Sequence, residues 1–284
     1  MKFDPATLDA QFNNRLRVPA FAEHLSRWRQ DSERVRQSQA CVLDVPYGEP
    51  RRSETLDIFP AGGSRQPVLV FIHGGYWRSL DKADHSFVAP AFTQAGACVV
   101  VPNYALCPAV SLEQIVLQQV QALVWVYRHI AQYGGDPNRI TVMGHSAGGH
   151  LAAMLLACQW QRVAADLPKQ LVRNALSLSG LHDLAPLMHS PYLQTDLQLT
   201  AAQVRRCSPA YFAAPQGQLI ALCGGNESEE FRRQNALIQQ AWGKRCVRVC
   251  EDIPNGNHFS VLEALCTPGQ RAHQLASALL TAST

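Results

Sequence analysis

The sequence predicts one α/β domain over residues 1–284, with a mostly parallel central sheet covered by helices on both faces. Three observations support this class. Short apolar runs alternate with longer helix-compatible stretches along most of the chain, which is typical of parallel sheets. Hydrophobic residues make up 47% of the chain and charged residues 17%, so we expect a packed core rather than disorder. No internal repeat and no linker-like composition divides the chain.

Eight apolar runs of four or five residues, most of them rich in aliphatic side chains, predict short buried strands. They lie at residues 41–45, 55–59, 68–72, 97–101, 139–143, 175–178, 218–222 and 246–249. A glycine-containing turn at residues 61–64 separates the second run from the third, which favours a hairpin between these two strands.

Five longer segments predict helices, at residues 20–39, 112–133, 150–159, 229–242 and 270–280. In the first, Phe21, Leu25 and Trp28 recur at helical spacing within a charged stretch. The second has a regular apolar face and ends at Gly-Gly-Asp-Pro, residues 134–137, where glycine can adopt positive φ and proline cannot continue a helix.

Two segments stand apart from the alternation of strands and helices. Residues 1–40 are interpreted as an N-terminal arm that precedes the sheet. Residues 181–214 are rich in Pro, His, Tyr and Gln, and we interpret them as a small cap-like insertion over the C-terminal edge of the sheet.

The charge pattern excludes several classes of partner. Lys and Arg total 25 against 22 Asp and Glu, a formal net charge of +3, and no basic stripe stands out, so we expect no nucleic-acid partner. The apolar runs are far shorter than the roughly 18 residues that a membrane helix needs. The acidic, proline-broken start at residues 1–5 lacks the apolar core of a signal peptide, so we expect a cytoplasmic protein. The sequence leaves the oligomeric state open.

Nine cysteines are scattered along the chain without any Cys-x-x-Cys pair, Cys246 and Cys250 being the closest two. Several of them lie in or beside apolar runs, where a thiol behaves as a small buried hydrophobe. We therefore expect neither disulfides nor a metal site, and no metal or organic cofactor.

The pentapeptide Gly-His-Ser-Ala-Gly at residues 144–148 matches Gly-x-Ser-x-Gly. A predicted strand precedes it and a predicted helix follows, which is the context of a nucleophile elbow. In that turn the serine has strained dihedral angles, and side chains at the flanking glycines would collide with neighbouring backbone. Ser146 is therefore the candidate nucleophile.

The predicted strand at residues 68–72 runs directly into His-Gly-Gly-Tyr-Trp at residues 73–77. Consecutive glycines after a strand allow backbone N–H groups to face a developing oxyanion. We expect an oxyanion hole at Gly74, Gly75 and Tyr76, with the N–H of Ala147 as a further donor.

A general base and an acid should follow the serine along the chain. The histidines beyond Ser146 are His150, His182, His189, His258 and His273. His258 lies in a Gly/Asn-rich loop after the last predicted strand and before a helix, so it is the candidate base. Glu227, the first carboxylate after the strand at residues 218–222, is the candidate acid. Asp183 and Asp252 remain alternatives for that role.

These motifs, together with Glu-Ser-Glu-Glu-Phe-Arg-Arg-Gln at residues 227–234 and Phe-Asn-Asn-Arg at residues 12–15, resemble the α/β-hydrolase-type kynurenine formamidases, or arylformamidases. The resemblance covers most of the chain. It implies an α/β-hydrolase fold and a triad at Ser146, Glu227 and His258, although aspartate is frequent at the acid position. It also implies cleavage of an N-formyl aryl amine such as N-formylkynurenine, in tryptophan catabolism.

The aryl group of such a small-molecule substrate would need apolar walls. Tyr76 and Trp77 are the candidate substrate-binding residues, and Tyr192, Tyr211 and Phe212 from the insertion are further candidates. A broad carboxylesterase or arylesterase acting on small acyl esters would use the same triad and is the main alternative. An inert ligand-binding relative and a peptidase or lipase are weaker alternatives.

Overall fold

An eight-stranded sheet forms the centre of the protein in the computed structural model, which describes residues 4–48 and 52–281. The strand order is β1-β2-β4-β3-β5-β6-β7-β8. The strands are β1 (Val42–Pro46), β2 (Thr55–Phe59), β3 (Gln66–Ile72), β4 (Cys98–Pro102), β5 (Gly135–His145), β6 (Asn174–Leu178), β7 (Gln218–Gly224) and β8 (Val249–Ile253). From β4 to β8 every neighbouring pair is parallel, whereas β2 runs antiparallel to β1 and β4. The predicted α/β class is confirmed.

The helices come mostly between strands, on both faces of the sheet. They are α1 (Pro5–Phe12), α2 (Asn14–Arg17), α3 (Phe21–Ser38), α4 (Ala89–Thr93), α5 (Leu112–His129), α6 (Ala147–Leu156), α7 (Trp160–Val163), α8 (Pro191–Leu197), α9 (Ala201–Cys207), α10 (Glu229–Cys246), α11 (Ser260–Cys266) and α12 (Arg271–Thr281). Within the described ranges, no helix is both long and apolar enough to cross a lipid bilayer.

Two apolar layers separate the helices from the sheet. Alternate residues of β3 show the division, because Val68, Val70 and Ile72 join one cluster while Leu69 and Phe71 join the other. Helices α5, α6 and α10 cover the first cluster, and α3, α4, α11 and α12 cover the second. Burial on both faces explains why these strands are nearly continuous apolar runs in the sequence.

The predicted hairpin between β2 and β3 is wrong. The intervening turn does hold Gly62 and Gly63 at positive φ, but β4 lies between the two strands and pairs with both of them. Residues Cys98–Pro102 are fully buried, so both edges of β4 need hydrogen-bond partners inside the sheet. A turn signal cannot reveal that a later strand takes the position beside β2.

Three predicted boundaries also shift. The segment predicted as a helix at residues 112–133 is α-helical only as far as His129. It continues as a 3-10 turn, Ile130–Tyr133, and Gly134 follows at positive φ. Helix α6 begins at Ala147 rather than at residue 150, directly after the turn at the serine.

The strand predicted at residues 246–249 is displaced, because α10 continues through Cys246 and β8 covers Val249–Ile253. Glu251 and Asp252 hide this strand from an apolar pattern, and they are tolerated because β8 is an edge strand.

The N-terminal arm and the insertion meet above the C-terminal edge of the sheet. The insertion connects β6 to β7 and contains α8 and α9 with short 3-10 turns. In the arm, a carboxylate oxygen of Asp9 accepts hydrogen bonds from the Ser190 hydroxyl at 2.5 Å and from the Tyr192 N–H at 3.1 Å. This contact joins α1 to the start of α8.

Candidate active site

Ser146 occupies a strained turn between β5 and α6, with φ 57° and ψ −117°. A Cβ atom on Gly144 would lie 2.1 Å from the carbonyl oxygen of Gly148, and one on Gly148 would lie 2.0 Å from the carbonyl oxygen of Ile72. Neither separation is sterically possible, so both flanking positions require glycine. The turn places the serine side chain at the C-terminal edge of the sheet.

Ser146, His258 and Glu227 form a continuous chain of hydrogen bonds. The Nε2 atom of His258 lies 3.0 Å from Ser146 Oγ, and its Nδ1 atom lies 2.6 Å from Glu227 Oε2. All three side chains are buried. Ser146 follows β5, His258 follows β8 and Glu227 follows β7. The parallel sheet therefore brings the serine and the histidine together although 112 positions separate them in the sequence.

Glu227 has two further donors on its other carboxylate oxygen. Oε1 accepts the Ser179 hydroxyl at 2.5 Å and the Gly224 N–H at 2.7 Å. Burial alone would raise the pKa of Glu227, but His258 and these two donors outweigh burial and hold the pKa below its ordinary value. The carboxylate is therefore ionised at neutral pH and able to orient the histidine ring.

Sequence reasoning missed Ser179. It is the first residue after β6, and its φ of 54° turns its hydroxyl toward Glu227. The only sequence signal is a serine directly after a buried strand that ends at the same edge as the Ser146 turn. Polar residues follow many strands, so that signal alone does not single out Ser179.

His145 was also missed, although it lies beside the nucleophile. Its Nε2–H donates to the carbonyl oxygen of His258 at 2.7 Å, and its ring makes an edge contact with Trp28. Burial, together with the neighbouring His258, lowers the pKa of His145 to about 3, so the ring is neutral and its proton is placed on Nε2. The bond ties the loop of His258 to the end of β5.

Residues 73–78, which follow β3 and are called the glycine loop below, lie against the serine. A Cβ atom on Gly74 would lie 3.1 Å from Ser146 Cβ. Gly75 has a φ of 102°, and a Cβ atom on it would lie 2.1 Å from the carbonyl oxygen of Ser79. Tyr76 also has positive φ, 51°. In the described part of the chain, the N–H groups of Gly75 and Tyr76 donate to no other protein atom.

Ala147 supplies a third backbone N–H at this point. It is the first residue of α6, where N–H groups have no partner within the helix. Behind the loop, the His73 ring stacks on Tyr104 at 4.2 Å, and the Tyr104 hydroxyl lies 2.9 Å from the His73 carbonyl oxygen. These contacts fix the loop from the side opposite the serine.

The two aromatic residues of the loop have different surroundings. The Tyr76 ring lines a cavity at Ser146, and its hydroxyl donates to the carbonyl oxygen of Phe12 at 2.6 Å. The prediction that Trp77 forms a substrate wall is wrong. Trp77 is fully buried, lies outside the cavity and packs edge-on against His150, with ring centroids 4.9 Å apart.

The cavity above Ser146 has a volume of about 500 Å³. Its apolar wall comes largely from the N-terminal arm, through Phe21, Leu25 and Trp28, with Phe259 beside the histidine. The arm therefore forms part of the site. Of the insertion aromatics, Tyr192 lines the cavity, whereas Tyr211 and Phe212 do not.

The alternative carboxylates lie elsewhere. Asp183 accepts the Tyr211 hydroxyl at 2.6 Å and the Ala185 N–H at 3.0 Å, in the insertion. Asp252 is exposed on β8. Neither bonds to His258 in the described residues, so of the three candidate carboxylates only Glu227 contacts the candidate base.

Three of the other histidines have side-chain contacts away from Ser146, and for His182 the contact is Nε2 at 3.3 Å from the Ser177 hydroxyl oxygen. His150 Nε2 lies 2.6 Å from the Cys207 carbonyl, and burial lowers its pKa to about 4. Burial likewise lowers the pKa of His182 to about 3. His273 lies on α12, with Nε2 3.4 Å from the Ala91 carbonyl.

All nine cysteines are unpaired thiols, and five of them are buried. In residues 4–48 and 52–281, there is no grouping of three or more His, Cys, Asp or Glu side chains that could hold a metal ion. The site itself brings together a hydroxyl, an imidazole, a carboxylate and backbone N–H donors.

A serine on a strained strand-to-helix turn, followed along the chain by a carboxylate and a histidine at the same edge of a parallel sheet, defines the α/β-hydrolase class. Comparison with known proteins supports this class and narrows it. The BD-FAE family model matches residues 56–201. A candidate thioesterase from Silicibacter sp. TM1040, solved by crystallography, superimposes with a TM-score of 0.84 at 29% identity, covering 97% of this chain and 99% of the other.

Two curated relatives match most of the chain. A kynurenine formamidase of Danio rerio is 33% identical over 251 residues, which is 85% of this chain and 83% of the relative. A kynurenine formamidase of Salmo salar is 31% identical over 255 residues, with the same coverage. This chain belongs to the kynurenine formamidase family of α/β hydrolases, and it is a hydrolytic enzyme.

Proposed function

We propose that this protein hydrolyses the formamide of N-formylkynurenine, or of a closely related N-formyl aryl amine, and releases formate. The observation that carries the proposal is the hydrogen-bond chain from Glu227 through His258 to Ser146, which ends at an apolar cavity in a member of this family. A formyl group needs little space on the acyl side, while the aromatic wall formed by Phe21, Trp28 and Tyr76 suits an aryl amine.

In the first half of the reaction, Ser146 Oγ attacks the formyl carbon and His258 Nε2 takes the hydroxyl proton. Glu227 holds the Nδ1 proton of His258, which fixes the tautomer and stabilises the imidazolium. The oxyanion that forms is within the reach of the backbone N–H groups of the glycine loop and Ala147, each donor contributing about 10²–10³ in rate.

In the second half, the imidazolium of His258 protonates the aniline nitrogen as the C–N bond breaks. The aryl amine leaves, and the formyl group remains esterified to Ser146. His258 then activates a water molecule, which attacks the formyl ester and releases formate with regeneration of the serine hydroxyl. No step in this sequence requires a metal or an organic cofactor.

A second candidate function is hydrolysis of small acyl esters or thioesters. It is favoured by the close structural match to a candidate thioesterase over nearly the full length of both chains. The same triad and oxyanion donors would serve, because acyl transfer from an ester passes through the same tetrahedral intermediate. The leaving group alone distinguishes the two functions at this site.

The cellular setting is part of the same proposal. We infer a small-molecule enzyme of a reducing compartment, the cytoplasm, because all nine cysteines are unpaired thiols. The near-balanced charge, with a net of +3, favours a small-molecule substrate over a nucleic acid.

The test compares N-formylkynurenine hydrolysis with 4-nitrophenyl acetate hydrolysis for the wild type, Ser146→Ala and the control Ser64→Ala, in an exposed turn. Formamide cleavage that falls by about 10⁴–10⁶ in Ser146→Ala and persists in Ser64→Ala would support the proposal. Ester cleavage without formamide cleavage would replace it with the esterase function.

A further inference from the structure

The outer part of the cavity carries a group of charged side chains. Arg15, Arg78 and Asp196 are the only Asp, Glu, Lys or Arg residues that line it in the described chain. Ser146 at the inner end is 2% exposed, whereas the Asp196 side chain is 37% exposed and Arg15 lies on the surface. The charged side chains of the cavity are therefore more exposed to solvent than the nucleophile is.

The Arg78 guanidinium is held in one orientation. Its Nη1 atom donates to the Tyr192 carbonyl at 2.7 Å and to Asp196 Oδ2 at 2.5 Å, and its central carbon lies 4.5 Å above the Tyr192 ring. Only 16% of this side chain is exposed. An arginine fixed by an ion pair and by aromatic stacking loses little further entropy when it binds a ligand.

The opposite edge of Arg78, formed by Nε and Nη2, has no acceptor in the part of the chain that the structure describes. Neither nitrogen is among the buried polar atoms without a partner, so both remain accessible. The same edge binds a carboxylate at Arg128, Arg233 and Arg271 of this protein, at distances of 2.7–3.0 Å. Arg78, which lines the cavity, therefore carries an unused carboxylate-binding fork.

Among the described residues, only one carboxylate oxygen of Asp196 has a hydrogen-bond partner. Its Oδ2 atom accepts from Arg78, and its Oδ1 atom has no partner among the described residues. Because Asp196 is ion-paired with Arg78, its free carboxylate oxygen and the free guanidinium edge belong to one dipolar pair, which matches a ligand with a carboxylate and an ammonium group on one carbon.

We propose that Arg78 and Asp196 bind the α-amino acid group of the substrate and make the enzyme selective for zwitterionic aryl formamides. The substrate carboxylate receives Nε–H and Nη2–H of Arg78, and its ammonium donates to Oδ1 of Asp196. Arg15 adds an attractive charge at the entrance. This inference rests on the proposed function, since it assigns the end of the substrate distant from the formyl group.

The geometry suits a substrate with two distinct ends. The formyl group must reach Ser146 at the buried end, and the aryl ring then lies between Tyr76 and the aromatic side chains of α3. The amino acid side of N-formylkynurenine extends from the ring toward solvent, where the charged pair lies. A neutral aryl formamide would fill the inner part and leave the pair unused.

The kinetic experiment compares two formamides, N-formylkynurenine and formanilide, which lacks the amino acid group. The measured quantity is the ratio of their kcat/KM values for the wild type, Arg78→Lys, Asp196→Asn and Arg15→Gln. Arg78→Lys keeps the charge but removes the fork, and should lower the ratio by about 10- to 100-fold, mainly through KM for N-formylkynurenine. Arg15→Gln should lower it only about threefold, and less at high salt, because Arg15 is exposed.

The matched control is Arg17→Gln, since Arg17 lies on the same short helix as Arg15 and does not line the cavity. It should leave the ratio unchanged. If Arg78→Lys and Asp196→Asn lower activity on both formamides equally, the pair only holds α8 in place and the proposal is overturned.

A binding measurement separates this inference from the proposed function. Calorimetry on the wild type should show L-kynurenine binding at least 10-fold more tightly than 2-aminoacetophenone, and Arg78→Lys should remove that difference. Equal affinities in the wild type would overturn the inference, even if formamides are cleaved. Selective L-kynurenine binding without formamide cleavage would uphold the inference and refute the proposed function.

Discussion

Replacing Glu227 with glutamine tests how the triad is oriented. Oε1 of Glu227 accepts two hydrogen bonds, from the Gly224 N–H and the Ser179 hydroxyl, while Oε2 faces Nδ1 of His258. In Glu227→Gln the amide oxygen should therefore occupy the Oε1 position. The amide NH₂ then faces His258, which must accept at Nδ1 and carry its proton on Nε2. That tautomer cannot take a proton from Ser146.

The size of the effect follows from the cost of turning the amide over. The serine hydroxyl can rotate and accept, but the Gly224 N–H cannot, so the flipped amide leaves a buried donor unpaired at a cost of about 1–3 kcal/mol. The productive orientation is then reduced by about 10- to 100-fold. The neutral amide also loses its electrostatic stabilisation of the imidazolium. Together these effects should lower kcat by about 10³–10⁴, close to the loss of about 10⁴ that follows when a triad histidine is held in the wrong tautomer.

The assay is the steady-state hydrolysis of N-formylkynurenine and 4-nitrophenyl acetate by Glu227→Gln, with circular dichroism to confirm folding. Both substrates should lose activity, since both require proton transfer from the serine. The control is Glu229→Gln, at an exposed position two residues along, which should retain nearly full activity. A loss below about 10-fold in a folded Glu227→Gln variant would refute the assignment of Glu227 as the orienting acid.

Three further predictions concern the residues around this chain. The folded-state pKa of Glu227 lies below its ordinary value of 4.5, so its contribution to stability is present above about pH 4.5 and is lost as the pH falls through the folded pKa. Ser179→Ala should raise that pKa and destabilise the protein by about 1.5–3 kcal/mol at pH 7, with a smaller difference in urea unfolding at acidic pH. His145→Leu should lower kcat by about 10- to 100-fold with little change in KM, because it frees the carbonyl of His258, and His145→Gln should restore part of that loss by keeping a donor. Equal kcat values for the two His145 variants would contradict the positioning role. Gly148→Ala should destabilise the protein by about 3 kcal/mol or more, measured by thermal unfolding, because its Cβ would lie 2.0 Å from a backbone oxygen of β3.

The parts of the site that the sequence predicts are those governed by local sterics and by chain order. The glycines on either side of Ser146 are visible because no other residue fits beside the backbone at that turn. His258 and Glu227 are predictable because each follows a strand that ends at the same sheet edge, in the order that the fold requires. The prediction of these two residues needs only the approximate positions of the strands. Small errors in strand ends, such as the displacement of β8, do not change it.

The parts that the sequence does not predict depend on contacts between distant segments. Ser179 reaches Glu227 across 48 positions, and His145 reaches the His258 carbonyl across 113. A serine or a histidine after a strand carries no signal for such a partner. The position of Trp77 fails for a related reason, since the motif favours the backbone turn of the loop but does not reveal that the Trp77 ring packs against His150 of α6.

The division between reaction and specificity follows from where each group originates. The candidate nucleophile, base, acid and oxyanion donors all lie in segments that directly follow strands, at one edge of the sheet. Much of the cavity wall comes instead from α3 and α8, which lie outside the sheet, and α8 is tied to the loop after β3 by the hydrogen bonds of Arg78 to Tyr192 and Asp196. Substitutions in the arm or in α8 can therefore change which leaving group fits without moving the hydrogen-bond chain at Ser146. This separation explains why the Gly-x-Ser-x-Gly motif identifies the chemistry while saying little about the substrate, and why Arg78, which lies in the glycine loop and contacts α8, connects the two.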